Sequence, residues 1–104
     1  MSNEPPPQPV LEDLLATLRS RMPDLTETYH VRSLGVLGPY ATGRARPRSY
    51  LGLLVDFDQA PSMFTFLRPQ RHLGELVPGK VVLVLKSTLR PEIGKRVMKE
   101  LVPV

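Results

Sequence analysis

The chain has 104 residues, 41% of them hydrophobic, and sets 14 Lys and Arg against 10 Asp and Glu for a formal net charge of +4. That hydrophobic share is ordinary for a folded protein and too high for general disorder, and the length has room for a single core. The lack of cysteine excludes disulfides, thiolate catalysis and Cys-based zinc sites, and the two histidines, His30 and His72, stand in no ligand-like spacing.

Residues 1–9, with Pro5, Pro6, Pro7 and Pro9, show no apolar periodicity and read as a flexible tail ahead of one domain over 10–104. Val10, Leu11, Leu14, Leu15, Leu18 and Met22 then recur at helical spacing, which predicts an amphipathic helix over 10–22. Pro23 ends or kinks that helix, and a second short helical stretch runs over 24–29. Val31 to Leu37 reads as a strand, and Gly38-Pro39-Tyr40-Ala41-Thr42-Gly43 as a turn into an arginine-rich loop. Tyr50 to Phe57 is a near-continuous apolar run, the pattern of a strand buried on both faces. A helix is expected from Pro61 to Leu76, with Met63, Phe64, Phe66, Leu67, Leu73 and Leu76 as its apolar stripe and a kink near residue 68, ahead of Pro69. Pro78-Gly79 turns the chain into a third buried strand, Val81 to Leu85. Ser87 or Thr88 caps a last helix with Pro91 in its first turn and Ile93, Val97, Met98 and Leu101 facing inward. The order α-β-β-α-β-α predicts an α/β (α+β) domain, a small mixed three-stranded sheet packed with helices.

Charge is unevenly spread. Residues 1–30 carry Glu4, Glu12, Asp13, Asp24 and Glu27 against Arg19 and Arg21, a net of −3, so residues 31–104 carry +7 to reach the total of +4. Arg32, Arg44, Arg46 and Arg48 meet no acid before Asp56, which marks 44–48 as a cationic loop. No apolar stretch reaches the length of a membrane span, and no basic segment followed by an apolar one opens the chain. A cytoplasmic protein without membrane contact is the expectation.

The stretch from Leu37 to Asp58, running Leu37-Gly38-Pro39-Tyr40-Ala41-Thr42-Gly43 through the polar loop to Ser49-Tyr50-Leu51-Gly52-Leu53-Leu54-Val55, resembles the core of the minimal nucleotidyltransferases of the DNA polymerase beta superfamily. That family's pattern is Phe-Gly-Ser-x-Ala-Arg-Gly, a polar loop, then Ser-Asp-x-Asp-Leu-Leu-Val. Val31-Arg32-Ser33-Leu34-Gly35, Pro61-Ser62-Met63-Phe64 and Leu89-Arg90-Pro91-Glu92-Ile93 agree as well, so the resemblance covers residues 10–102 and implies a nucleotidyltransferase-like fold.

Nucleotidyl transfer needs divalent metal held against phosphates by carboxylates, and an Asp-x-Asp on a strand places two of them on one face. The resemblance puts Tyr50 and Gly52 at that pair, and Val82, within Lys80-Val81-Val82-Leu83-Val84, at the third metal-binding Asp. All three carboxylates are replaced, which implies no catalytic residue and no metal ligand. Of the nucleotide-holding turn Gly38 and Gly43 remain, while Pro39 stands in place of the Ser and removes both a hydroxyl and a backbone donor. Thr42 takes the place of the Arg. A degenerate nucleotide site would then consist of Gly38, Pro39, Gly43, Arg44 and Arg46. Magnesium and ATP are expected of intact members and not of this chain.

Asp56 and Asp58 form an Asp-x-Asp six positions late, about 20 Å along a strand at about 3.3 Å per residue, and read as a solvated strand end. Arg44, Arg46 and Arg48 could grip phosphate without metal or simply make a basic surface. Nucleic-acid binding is disfavoured, because aromatics are 6% of the chain and no recognition motif accompanies the charge. Tyr50 either fills the vacated metal pocket or stacks on a base. His30 and His72 read as surface residues at element ends, and Phe57, Phe64 and Phe66 as core. Family members pair with small helical HEPN ribonucleases as antitoxin to toxin, so the resemblance implies a partner-binding pseudoenzyme. Its partner would be a HEPN-type protein or a second copy. A nucleotide or phosphate sensor, or an enzyme with unusual ligands, is the alternative.

Overall fold

The computed structural model describes residues 11–46, 49–59, 63–77 and 80–104, and for 63–65 the backbone alone. Elements follow in the order α1 (Leu11–Tyr29), β1 (Val31–Leu37), α2 (Pro39–Thr42), β2 (Leu51–Phe57), α3 (Met63–Leu76), β3 (Val81–Leu85), a 3-10 turn (Lys86–Thr88), α4 (Pro91–Glu100) and β4 (Val102–Pro103). The four strands form one mixed sheet in the order β3-β2-β1-β4. β1 runs antiparallel to β2 and β4, and β2 runs parallel to β3 across the α3 connection. The α/β (α+β) expectation holds, with one strand more than the three expected: β4 is two residues long, too short for any periodicity to signal it.

β2 lies inside the sheet and is buried from Leu51 to Val55, as its unbroken apolar run requires. Registration of the strands separates two faces. On one, Leu34, Val36, Leu51, Leu53, Val55, Val81 and Leu83 join Leu14, Leu15, Leu18 and Leu25 of α1 and Leu73 of α3 in the core. On the other lie Ser33, Gly35 and Leu37 of β1, Gly52, Leu54 and Asp56 of β2, and Val82 and Val84 of β3. The candidate site belongs to this second face.

Pro23 does not end the first helix. α1 continues through it to Tyr29, because the buried stripe continues through Leu18 to Leu25, both fully buried. A proline inside a helix costs about 3 kcal/mol, and burying one leucine offsets about 1.5–3 kcal/mol of that. His30 closes the helix in the left-handed region (φ 61°), donating its N–H to the Thr26 carbonyl at 3.0 Å.

Pro69 is likewise accommodated within α3, where it is almost fully buried. Leu67 departs from the expected stripe and is 59% exposed. Pro61, Pro78-Gly79 and the 1–9 tail lie outside the described residues, as does the helix start expected at Val10. Ser87 and Thr88 do not cap the last helix: they close a 3-10 turn, in which the Thr88 hydroxyl donates to the Leu85 carbonyl at 2.8 Å. Helix α4 starts at Pro91 and buries none of its residues. Ile93 (49% exposed) and Met98 (51%) are not buried in a core, while Val97 is half-buried and Leu101 just beyond the helix packs on Gly35. Phe57 and Phe66 are half-buried beside the core in a T-shaped pair with ring centres 6.3 Å apart. Phe64's side chain lies outside the described residues. No described helix is long and apolar enough to cross a membrane.

Candidate functional site

Strand β1 ends at Leu37, and the backbone of Gly38 after it (φ 79°, ψ −153°) lies in a region that only glycine occupies without strain. The turn expected over 38–43 is a single helical turn, α2. Pro39 occupies its first position, and Gly43 closes it in the left-handed conformation (φ 74°). Three amides are already used: Ala41 and Thr42 N–H donate to the Gly38 carbonyl at 3.1 and 3.2 Å, and Arg44 N–H to the Pro39 carbonyl at 2.8 Å. The turn has a positive-φ glycine at each end, and Pro39 supplies no backbone donor at its first position.

Tyr50, Gly52 and Val82, far apart in sequence for the last of them, meet beside this turn. Gly52 pairs with Leu37 across β1 and with Val82 across β3, so the three share one row of the second face. Tyr50 sits just before β2, 43% exposed, with its ring against Gly38. A β-carbon built on Gly38 would lie 3.6 Å from Tyr50 Cε2 and 3.7 Å from its hydroxyl oxygen. Gly52 is closed off more tightly. A β-carbon there would lie 2.9 Å from Leu37 Cδ1 and 3.0 Å from the Leu37 carbonyl oxygen.

A magnesium ion asks for oxygen ligands in near-octahedral array, with carboxylates to balance its charge. These three positions supply one phenol, one glycine and one valine, with a leucine methyl pressed on the glycine. They do not fit the metal that an intact family site holds. Among the described residues no three His, Asp or Glu side chains gather elsewhere in a metal-holding group.

Comparison with known proteins identifies the fold and its lineage. Protein adenylyltransferase MntA of Thermococcus cleftensis is 37% identical over 94 residues, which span 90% of this chain and 95% of the relative. The chain belongs to the minimal nucleotidyltransferase family. MJ0128 of Methanocaldococcus jannaschii, assigned by name to the protein adenylyltransferases, is 30% identical over 95 residues, 90% of this chain and 97% of the relative. A solved structure described as a minimal nucleotidyltransferase superposes with a TM-score of 0.77 at 28% identity, covering 95% of this chain and all of the other. No protein-family model matches the chain.

Within this minimal nucleotidyltransferase the late acids, Asp56 and Asp58, stand at a solvated strand end as expected, and there they pair with Arg32. Arg32 Nε donates to Asp58 Oδ1 at 2.7 Å, and Arg32 Nη1 lies 3.8 Å from Asp56 Oδ2. The hydrogen bond to Asp58, together with both carboxylate charges, raises the affinity of the exposed guanidinium for its proton. A bulge between Val31 and Ser33 makes Arg32 the extra residue of β1 where it meets these acids.

Arg44 and Arg46 are exposed. The Arg46 backbone closes a small loop with Ser49, accepting at its carbonyl and donating to the hydroxyl at 2.8 Å. Arg48 lies outside the described residues. His30 is exposed at an element end as expected, but His72 is half-buried, its Nδ1 3.4 Å from the Tyr29 hydroxyl across α1 and α3.

Sequence reasoning missed Leu37 and Arg32. Leu37 could have been found only by knowing that it stands opposite Gly52. Arg32 carried a signal, being a lone base in a strand whose neighbour strand ends in two acids.

Proposed function

We propose that this chain is a catalytically inactive nucleotidyltransferase-like protein that works by binding a partner protein. The observation that carries the reading is the chemistry of the row: Tyr50, Gly52 and Val82 bring no carboxylate to it, and the Tyr50 ring lies against Gly38. A phenol, a glycine and a valine stand where nucleotidyl transfer needs carboxylate oxygens. Relatives named as protein adenylyltransferases act on protein acceptors, so recognition of a protein surface can outlive the loss of transfer chemistry. By the family resemblance the partner is a small helical HEPN-type ribonuclease, which this chain would neutralise by contact, as an antitoxin, without modifying it. Exposed Arg44 and Arg46 favour one other reading, a loop that senses phosphate without metal.

Isothermal calorimetry with ATP and magnesium separates these readings. The inactive reading expects no metal-dependent heat and no labelled nucleotide transferred to any acceptor. Tight magnesium-dependent binding would overturn it. Weak binding indifferent to magnesium, and abolished by Arg44→Ala with Arg46→Ala, would assign the loop to phosphate. Coexpression with the product of a neighbouring gene tests the partner, and failure to form a complex with any of them would count against the antitoxin role.

A further inference from the structure

Helix α3 and the edge of the sheet enclose a groove of about 550 Å³ lined by Leu67, Arg68, Gln70, Arg71, Gly74 and Val81. Leu67, Arg71 and Gly74 follow helical spacing along it. At Gly74 the space is open, with nothing within 4 Å of where a β-carbon would be. Leu67 is the most exposed large hydrophobic residue described, at 59%. Arg68 and Arg71 are both exposed, and the ion pairs of the described residues all belong to Arg32. Beside the groove runs β3, an edge strand whose inner side is bonded to β2 while no described strand covers its outer side. Such an edge offers a row of backbone donors and acceptors to an added strand.

We infer that this groove and edge receive an extended acidic segment of a partner protein. The segment would lengthen the sheet along Val81–Leu85, set an apolar side chain on Leu67 and place carboxylates against Arg68 and Arg71. The inference rests on the partner-binding reading and names its surface. Charge decides between this occupant and a second copy. Two β3 strands paired antiparallel about a two-fold axis would bring Lys80 of each beside Lys86 of the other, with four guanidinium groups near the seam. An acidic strand meets the same cations favourably.

The test titrates the full-length ¹⁵N-labelled chain with a synthetic seven-residue peptide alternating glutamate and valine. Amide shifts should concentrate in Val81–Leu85 and in α3 from Leu67 to Gly74, and outward-facing β3 amides should exchange more slowly. Arg68→Glu with Arg71→Glu should weaken binding about tenfold or more, since exposed charges reversed at a complementary surface repel the ligand. A peptide with lysine in place of glutamate should not bind, and neither should one with central prolines, which donates no ladder hydrogen bonds; neither control alters the protein. Shifts centred on α4 or Gly38, absence of binding at millimolar peptide, equal binding of the lysine peptide, or a sedimentation dimer that protects β3 would each overturn the inference. Metal-dependent ATP binding with the groove still occupied by peptide would overturn the inactive reading alone.

Discussion

Placing a single carboxylate in the row, Gly52→Asp, tests whether the space beside Leu37 can take one. Gly52→Ala is its control. An alanine β-carbon would meet Leu37 Cδ1 at 2.9 Å and the Leu37 carbonyl oxygen at 3.0 Å. Leu37 is half-buried, so its terminal methyl can turn aside for about 0.5–1.5 kcal/mol. Loss of glycine's freedom in the unfolded chain returns about 0.4–1 kcal/mol, but the Leu37 carbonyl oxygen is backbone and cannot turn aside, so alanine itself should cost about 1–3 kcal/mol relative to the parent. Aspartate adds a charge at a buried position beside a carbonyl oxygen, worth a further loss of about 3 kcal/mol. With a urea slope of about 1.5 kcal/mol per molar, the midpoint should fall about 2 M below that of the alanine variant at pH 7.

The penalty has a pH signature. Three kcal/mol corresponds to a carboxyl raised by about two pH units in the folded state, from about 4 to about 6. A raised carboxyl destabilises only where it must ionise. The gap between the two variants should therefore be full above about pH 6, shrink between about 6 and 4, and vanish below about 4. Equal midpoints at pH 7 would refute the reasoning. So would magnesium that raises the midpoint of the Tyr50→Asp/Gly52→Asp/Val82→Asp variant, because a metal site would then still be latent in the fold.

Leu53→Ala, at a fully buried position, should cost about 2–5 kcal/mol, whereas Leu67→Ala should stay within about 0.5 kcal/mol, as thermal melts would register. Gly38→Ala has room beside Tyr50 but not the backbone freedom, so about 1–3 kcal/mol of strain should appear in denaturant midpoints. At Gly35 a β-carbon would come within 2.5 Å of Leu101 Cδ1, and Gly35→Val should lift Leu101 away. Hydrogen exchange should then quicken at Val104, whose N–H donates to the Leu34 carbonyl at 3.0 Å, with α1 unaffected.

The strands were legible because apolar runs bounded by Gly and Pro leave little choice: β1 and β3 fall on the expected residues, and β2 differs by Tyr50 alone. Pro23 misled because local propensity argues for a break, while the burial of Leu25 beyond it is a tertiary fact. The inward face expected of α4 misled for the opposite reason. Its amphipathic spacing is real, but spacing says nothing about how fully a neighbour covers it, and Ile93 and Met98 stay about half exposed. At the site, the order of motifs alone set Tyr50, Gly52 and Val82 against the carboxylate positions of the family pattern. The contact between Leu37 and Gly52 could not be read, because the two come together only through the antiparallel register of β1 and β2.

The charge asymmetry gains meaning from the same geometry. Residues 31–104 hold five acids, and two of them, Asp56 and Asp58, are committed to Arg32. Glu75, Glu92 and Glu100 then stand against eleven further Arg and Lys residues over the same span. A surface of this kind attracts any polyanion at low salt, so attraction alone identifies neither a nucleotide nor a protein ligand. Apolar burial is what separates them. Phosphates held only by the exposed guanidinium groups of Arg44 and Arg46 should be released as salt screens those charges. A segment anchored on Leu67 and bonded along β3 should retain binding at high salt, because neither the hydrophobic contact nor the backbone ladder is screened. The salt dependence of binding thus distinguishes an exposed cationic loop that gathers anions from a surface that selects a partner.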